Sequence, residues 1–163
     1  MYFIVGGNSL IGSTLAKFWR RSRVSFHSST RQKELVSNCR LLIDLSKPHT
    51  FDNINQYASA VICAAVTDMA SCEKKHEETR AVNVSGTMEL IKKLNNNKTH
   101  IVFLSTNQVF DGRKPKQKPD ASRNPINEYG RQKAEVEVFI DNLSNACILR
   151  LAKVIHPGLT LFK

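Results

Sequence analysis

The chain reads as an α/β protein built on a doubly wound parallel sheet, and three observations predict it. Short β-branched or apolar runs alternate with stretches of helical periodicity along the 163 residues. The first run, Met1-Tyr2-Phe3-Ile4-Val5, passes at once into a glycine-rich turn that opens an amphipathic stretch. A later run, Ile101-Val102-Phe103-Leu104-Ser105, leaves its strand through hydroxyl and amide residues, as strands of open sheets do at their carboxyl ends. Such alternation buries a parallel sheet beneath helices on both faces.

Taken in order, strands are expected at 2–6, 24–28, 40–44, 60–64, 101–105 and 147–151. Helices are expected at 10–21, 51–57, through the amphipathic stretch 70–95, and at 127–142. Between the last two elements of that series lies 111–125, whose prolines and lysines argue for a long loop. It is either functional or a solvated excursion. Residues 1–163 read as a single domain: with 41% apolar content they can bury one core and are too short for two.

Several classes are disfavoured. No apolar run approaches the ~20 residues of a membrane span, and the start lacks the basic leader of a signal peptide, so no membrane partner is expected. Cys39, Cys63, Cys72 and Cys147 show no Cys-x-x-Cys spacing. Neither a metal site nor a disulfide framework is suggested, and a reducing, cytoplasmic setting fits. The formal charge of +10 raises the question of nucleic acid, but Lys17, Arg20, Arg21, Arg23, Lys74, Lys75, Lys92, Lys93, Lys114, Lys116 and Lys118 are scattered. They form no single stripe with interleaved aromatics, so they read as solvated surface that helps attract anionic nucleotides.

The turn Gly6-Gly7-Asn8-Ser9-Leu10-Ile11-Gly12 stands between the first strand and a helix. Glycines let the backbone approach a pyrophosphate while the helix N-terminus offers free amides to it, so the placement predicts a dinucleotide site, with Ser9 where a middle glycine is commoner; the alternative is an ordinary tight turn. The second strand ends in His27-Ser28-Ser29-Thr30-Arg31, with no acidic residue to accept from a ribose 2′-hydroxyl. Thr30 and Arg31 suit a 2′-phosphate, which favours NADP over NAD; the alternative is that Arg31 opens a surface helix. Asp44 ends the third strand and could accept from the adenine amino group or cap a helix.

At the reactive end, Tyr129 and Lys133 in Tyr129-Gly130-Arg131-Gln132-Lys133 are four residues apart on a helix. A cation fixed beside a phenol favours the phenolate, which lowers its pKa toward what a general acid needs near neutral pH.

Taken together, Gly6 to Gly12, Asp44-Leu45, Ala64-Ala65-Val66-Thr67, Asn83-Val84-Ser85-Gly86-Thr87, Ser105-Thr106 with Val109-Phe110-Asp111-Gly112, and Pro125 through Lys133 resemble one family. The chain is similar to the extended short-chain dehydrogenase/reductases, in their dTDP-4-dehydrorhamnose reductase-like group of nucleotide-sugar enzymes. The resemblance implies a Rossmann-like NAD(P)-binding domain in an oxidoreductase that reduces the keto group of a nucleotide-linked sugar. It implies Tyr129 as proton donor, Lys133 as the cation that tunes it and binds the nicotinamide ribose, and Thr106 as the hydroxyl holding the substrate carbonyl. Leu45, Ala64, Ala65 and Thr67 would line the cofactor, with Asn83 and Ser105 close to it.

The sequence departs from that pattern at Ser9 and at Asn107-Gln108, where an acidic and an aromatic residue are usual. Family members also continue into a smaller lobe that closes over the substrate, whereas this chain stops at Lys163, so the lobe is expected to be absent. The tail Ile155-His156-Pro157-Gly158-Leu159-Thr160-Leu161-Phe162-Lys163 resembles the start of the crossing into that lobe, and a partner or self-association would cover the surface left open. Two alternatives remain: a non-catalytic dinucleotide-binding regulatory or scaffold protein, as in the regulatory subunit of methionine adenosyltransferase, and an epimerase or dehydratase of the same fold.

Overall fold

Six parallel strands, β1 Tyr2–Val5, β2 Phe26–Thr30, β3 Arg40–Leu42, β4 Ser59–Ile62, β5 His100–Thr106 and β6 Ala146–Leu151, make one sheet in the order β3-β2-β1-β4-β5-β6. The computed structural model describes residues 1–52 and 54–154. Strand order reverses between β1 and β4, which pair from Tyr2 with Ser59 to Val5 with Ile62. Connections leaving those two strands run in opposite directions and open a crevice beyond their carboxyl ends. The doubly wound parallel sheet expected from the sequence is the one observed.

Helices α1 Leu10–Arg21, α2 Met69–Lys74, α3 His76–Arg80, α4 Thr87–Asn96 and α5 Glu128–Ile140 cover the sheet. The period-2 pattern of the strands decides which face each residue serves. Phe3, Val5, Ala60, Ile62, Ile101 and Phe103 pack with Leu90, Ile91 and Leu94 of α4 and with Val136 and Ile140 of α5. Each such side chain contributes about 1.5–3 kcal/mol on burial. On the other face α1 buries Ala16, and its Trp19 ring lies 5.5 Å from that of Tyr2.

Two expected helices change form. The α-helix expected over 51–57 is not found among the described residues: a 3₁₀ turn, Pro48–Phe51, ends there, and residues 54–57 are irregular. Phe51, Ile54 and Tyr57 are all buried, and their threefold spacing imitates a helix. Tyr57 is held from outside its own segment, by stacking on Phe3 at 4.6 Å and by a backbone hydrogen bond to Thr99 Oγ1. The stretch 70–95 is α2, α3, a π-helical turn Ala81–Gly86 and α4 in succession. Segment 111–125 is irregular as expected but well tied, since Arg123 reaches Glu137 and Asp141, and Arg150 reaches the Pro119 carbonyl. The tail 155–163 lies outside the described residues.

Candidate active site

The crevice is built from backbone. Gly6 has φ of +87°, and a Cβ there would meet Ala64 at 2.7–2.9 Å; at Gly12 a Cβ would sit 2.2 Å from the Gly6 carbonyl oxygen. Only glycine permits the strand, the turn and α1 to close this tightly. Ser9 has a job of its own as N-cap: its hydroxyl donates to the Gly6 carbonyl at 2.8 Å and accepts from the Gly12 amide at 3.1 Å. That leaves neighbouring amides at Leu10 and Ile11, with no acidic residue in the first turn of α1 to compete for them. Ser29 braces the loop by accepting from Gly6 N at 2.8 Å.

The resulting cleft holds about 260 Å³ and is lined by Gly6, Asn8, Ser9, Thr30, Arg31, Leu45, Ala64, Ala65 and Val66, among others. Arg31 is exposed and makes no ion pair among the described residues. Asp44 lies just beside this lining, and Oδ1 accepts from both the amide and the hydroxyl of Ser46. Burial would raise its pKa, but those hydrogen bonds with Lys47 and Arg31 hold it below the ordinary carboxylate value. Asp44 therefore serves the turn. Thr67 is exposed and lies outside the lining.

The reactive residues stand on the shoulder where α5 meets β5. Asn127 caps α5 by accepting from Gly130 N at 2.8 Å, and its amide donates to Gln108 Oε1 at 2.8 Å. A Cβ on Gly130 would lie 2.2 Å from the Gln108 carbonyl oxygen, so this glycine lets the helix dock directly on the end of β5. Thr106 ends that strand, and its hydroxyl accepts from Gln108 N at 3.2 Å.

Here the structure corrects the expected Tyr129–Lys133 partnership. Lys133 is only 3% exposed; its Nζ donates to the Leu104 carbonyl at 2.7 Å and lies 4.1 Å from the centre of the Phe103 ring. Burial brings its pKa down to about 8, against the opposing pull of Glu137 and Cys63. The Tyr129 phenol is pushed up to about 12, by burial first and then by Cys72. Four-residue spacing puts the two on one side of α5, but Lys133 is drawn toward the sheet, where a carbonyl and an aromatic face compensate its charge.

Behind crevice and shoulder runs a closed polar chain. Asn83, in the π-helical turn, clamps the Val66 peptide from both sides, accepting from Val66 N at 2.7 Å and donating to Val66 O at 2.9 Å. Its amide also donates to Gln132 Oε1 at 2.8 Å, and Gln132 Nε2 donates to Thr79 Oγ1 and Glu128 Oε1. Asn83 is thus 2% exposed and stands behind the cofactor crevice, supporting its wall through Val66. Ser105 is likewise buried, and among the described residues its hydroxyl has no hydrogen-bond partner. Farther along α5, Glu137 is fully buried and accepts from both Arg123 and Arg150. Burial would raise its pKa, but Arg150 and Arg123 hold it below the ordinary value.

The sequence reading missed Glu128, Gln132, Glu137 and Arg150. The available signal was α5 itself, whose polar positions 128, 132, 133 and 137 fall on the face that an apolar pattern would reserve for the core. Among the described residues no group of three or more His, Cys, Asp and Glu could hold a metal, all four cysteines are free, and no helix is long and apolar enough to cross a membrane.

A glycine-turn crevice at the strand-order reversal, with Thr106, Tyr129 and Lys133 on the adjoining shoulder, defines a domain of the extended short-chain dehydrogenase/reductase class. The model of the RmlD substrate binding domain matches residues 1–158. This chain belongs to that family. It is 28% identical over 158 residues to the "Probable low-salt glycan biosynthesis reductase Agl14" of Haloferax volcanii, covering 93% of this chain and 53% of the relative. It is 30% identical over 111 residues to methionine adenosyltransferase 2 subunit beta of Xenopus tropicalis, covering 68% and 30%. The fold is shared with the crystal structure of dTDP-4-dehydrorhamnose reductase from Bacillus anthracis in complex with NADP, at TM-score 0.81 and 21% identity over 93% of this chain and 52% of that one. The chain spans about half the length of the first of these relatives and of that reductase.

Proposed function

We propose that this chain is the dinucleotide-binding domain of an NADP-dependent reductase acting on the keto group of a nucleotide-linked sugar. The observation that carries this reading is the crevice, where glycines that admit no Cβ bring the α1 N-terminus to a cleft ending in Thr30 and Arg31. NADP, with NAD as the lesser alternative, would supply hydride. The amides at Leu10 and Ile11 would hold its pyrophosphate, Arg31 its 2′-phosphate, and Leu45, Ala64 and Ala65 its adenosine and nicotinamide ends. The NADP complex of the Bacillus anthracis reductase and the reductase name of the Haloferax relative support the assignment.

On the shoulder, Thr106 would hold the substrate carbonyl and Tyr129 would give a proton to its oxygen. Lys133 would have to leave the Leu104 carbonyl to lower the phenol's pKa, so this step belongs to the liganded state. Free cysteines fit a reducing, cytoplasmic setting. The exposed face of β6, at Cys147 and Leu149, fits coverage by a further lobe or a second copy.

A second reading, a non-catalytic dinucleotide-binding partner akin to methionine adenosyltransferase 2 subunit beta, is favoured by the withdrawn Lys133 and the raised phenol pKa. Fluorescence titration with NADPH tests both, since absence of binding removes each. Turnover of a keto-sugar nucleotide that disappears in Tyr129→Phe supports the reductase. NADPH binding without turnover in the full-length protein supports the partner.

A further inference from the structure

The basic residues that look scattered along the sequence are gathered by the fold. Lys17, Arg20 and Arg21 lie side by side on the exposed face of α1, Arg23 follows in the next turn, and Arg40 joins Arg20 and Arg23 along one groove beside Phe26. None of the five pairs with a carboxylate among the described residues. The cause is visible in the sequence: six Lys and Arg residues precede Glu34, and no Asp or Glu does. Aromatic residues are interleaved with this charge. The rings of Tyr2, Trp19 and Phe26 lie 5.5 Å apart in succession, and Arg20 covers Phe26 at 5.9 Å. Phe18, between Lys17 and the arginines, projects into water with 63% of its surface exposed.

We propose that this end of the molecule docks peripherally on an anionic lipid surface. Lys17, Arg20, Arg21, Arg23 and Arg40 would face the headgroups while Phe18 enters the acyl boundary. A cationic helix face with an exposed aromatic side chain is the arrangement of interfacial binding. Single-stranded nucleic acid would want open ring faces to stack its bases. Here Tyr2, Trp19 and Phe26 pack on one another in tilted and edge-on pairs, Arg20 covers Phe26, and the most exposed ring of the group, Phe18, is a wedge at a helix surface. The patch sits at the amino ends of β1 and β2, and the dinucleotide crevice sits at the carboxyl ends of the parallel strands. Docking would leave the crevice open to water, so the two functions are separable.

Co-sedimentation with vesicles of about 30% phosphatidylglycerol in phosphatidylcholine tests the proposal. At about 0.1 M salt the protein should partition onto these vesicles, fail to partition onto pure phosphatidylcholine, and be released at about 0.5 M salt. Each cation near such a surface is worth about a fivefold gain, so Lys17→Gln/Arg20→Gln/Arg21→Gln should lower partition about a hundredfold. Phe18→Ser should lower it roughly tenfold. NADPH titration and thermal unfolding of each variant serve as controls: NADPH affinity should not change, and the midpoint should drop by no more than a few degrees for the lost Arg20–Phe26 contact and the cations at the α1 C-terminus. Absence of wild-type binding, or unaltered binding by the triple variant, overturns the proposal. So does tighter binding to a DNA oligonucleotide that is indifferent to Phe18→Ser, which would assign the patch to nucleic acid.

Discussion

The crevice between β1 and β4 is made of backbone, whereas the shoulder where α5 meets β5 is made of side chains. In the crevice, Gly6, Ser9 and Gly12 fix the positions of amides by steric necessity and local capping, so the site exists before any ligand arrives. On the shoulder, Tyr129 and Lys133 depend on which neighbour each side chain finds. Lys133 finds the Leu104 carbonyl and the Phe103 ring. The same distinction separates binding from catalysis: a pyrophosphate cradle can be complete in the backbone fold itself, while a tuned proton donor requires charge placed beside it.

The largest test of this contrast lies under the shoulder. Glu137→Gln would leave Arg150 and Arg123 without their buried carboxylate, at a cost of about 3 kcal/mol in urea unfolding. The crevice should still bind NADPH under conditions where the variant remains folded. Loss of binding in the folded variant would break the contrast. On the crevice side, Arg31→Ala should cut the preference for NADPH over NADH about thirtyfold, as expected for one charge-assisted phosphate contact. An unchanged ratio would remove the 2′-phosphate assignment.

Gln132→Met tests whether the two regions are joined. It removes the link between Asn83 and Glu128 while touching neither the crevice nor substrate. Stability in urea unfolding should fall by roughly 1–3 kcal/mol, since Thr79 and Glu128 each lose a buried partner, and dinucleotide affinity should fall severalfold as the Val66 wall loosens. Faster hydrogen exchange at the Val66 amide should accompany that loss, because its acceptor Asn83 is no longer held.

The smallest effect is on pH dependence. Lys133 falls from 10.5 to about 8 on folding, so between those values the unfolded chain holds a proton that the folded chain has released. Stability from this group should therefore rise from about pH 8 toward 10.5, and the rise should vanish in Lys133→Met. If wild type and variant run parallel in urea unfolding at about pH 7.5 and 9.5, Lys133 is not stowed as described. Bound NADPH should flatten the slope if it draws the ammonium out.

Legibility in the sequence followed the same division. The strands, the glycine turn and the β5 exit at Ser105-Thr106 were readable because period-2 burial and glycine's steric freedom are local properties. The expected helix at 51–57 failed because Tyr57 answers to Phe3 and Thr99, which are distant in sequence. Asn83 was placed near the cofactor by resemblance, and its actual work on the Val66 peptide needed the π-helical turn to be seen. Gln132 and Glu137 escaped notice because a buried polar side chain resembles an error of pattern until its partners are known.

What the chain determined by itself is a doubly wound parallel sheet with an anion-ready turn after β1, because backbone geometry and hydrophobic period are set within a few residues. Tertiary structure alone decided the state of Tyr129 and Lys133. A pKa depends on burial and on charges brought together from separate elements, and a four-residue spacing on one helix cannot specify either.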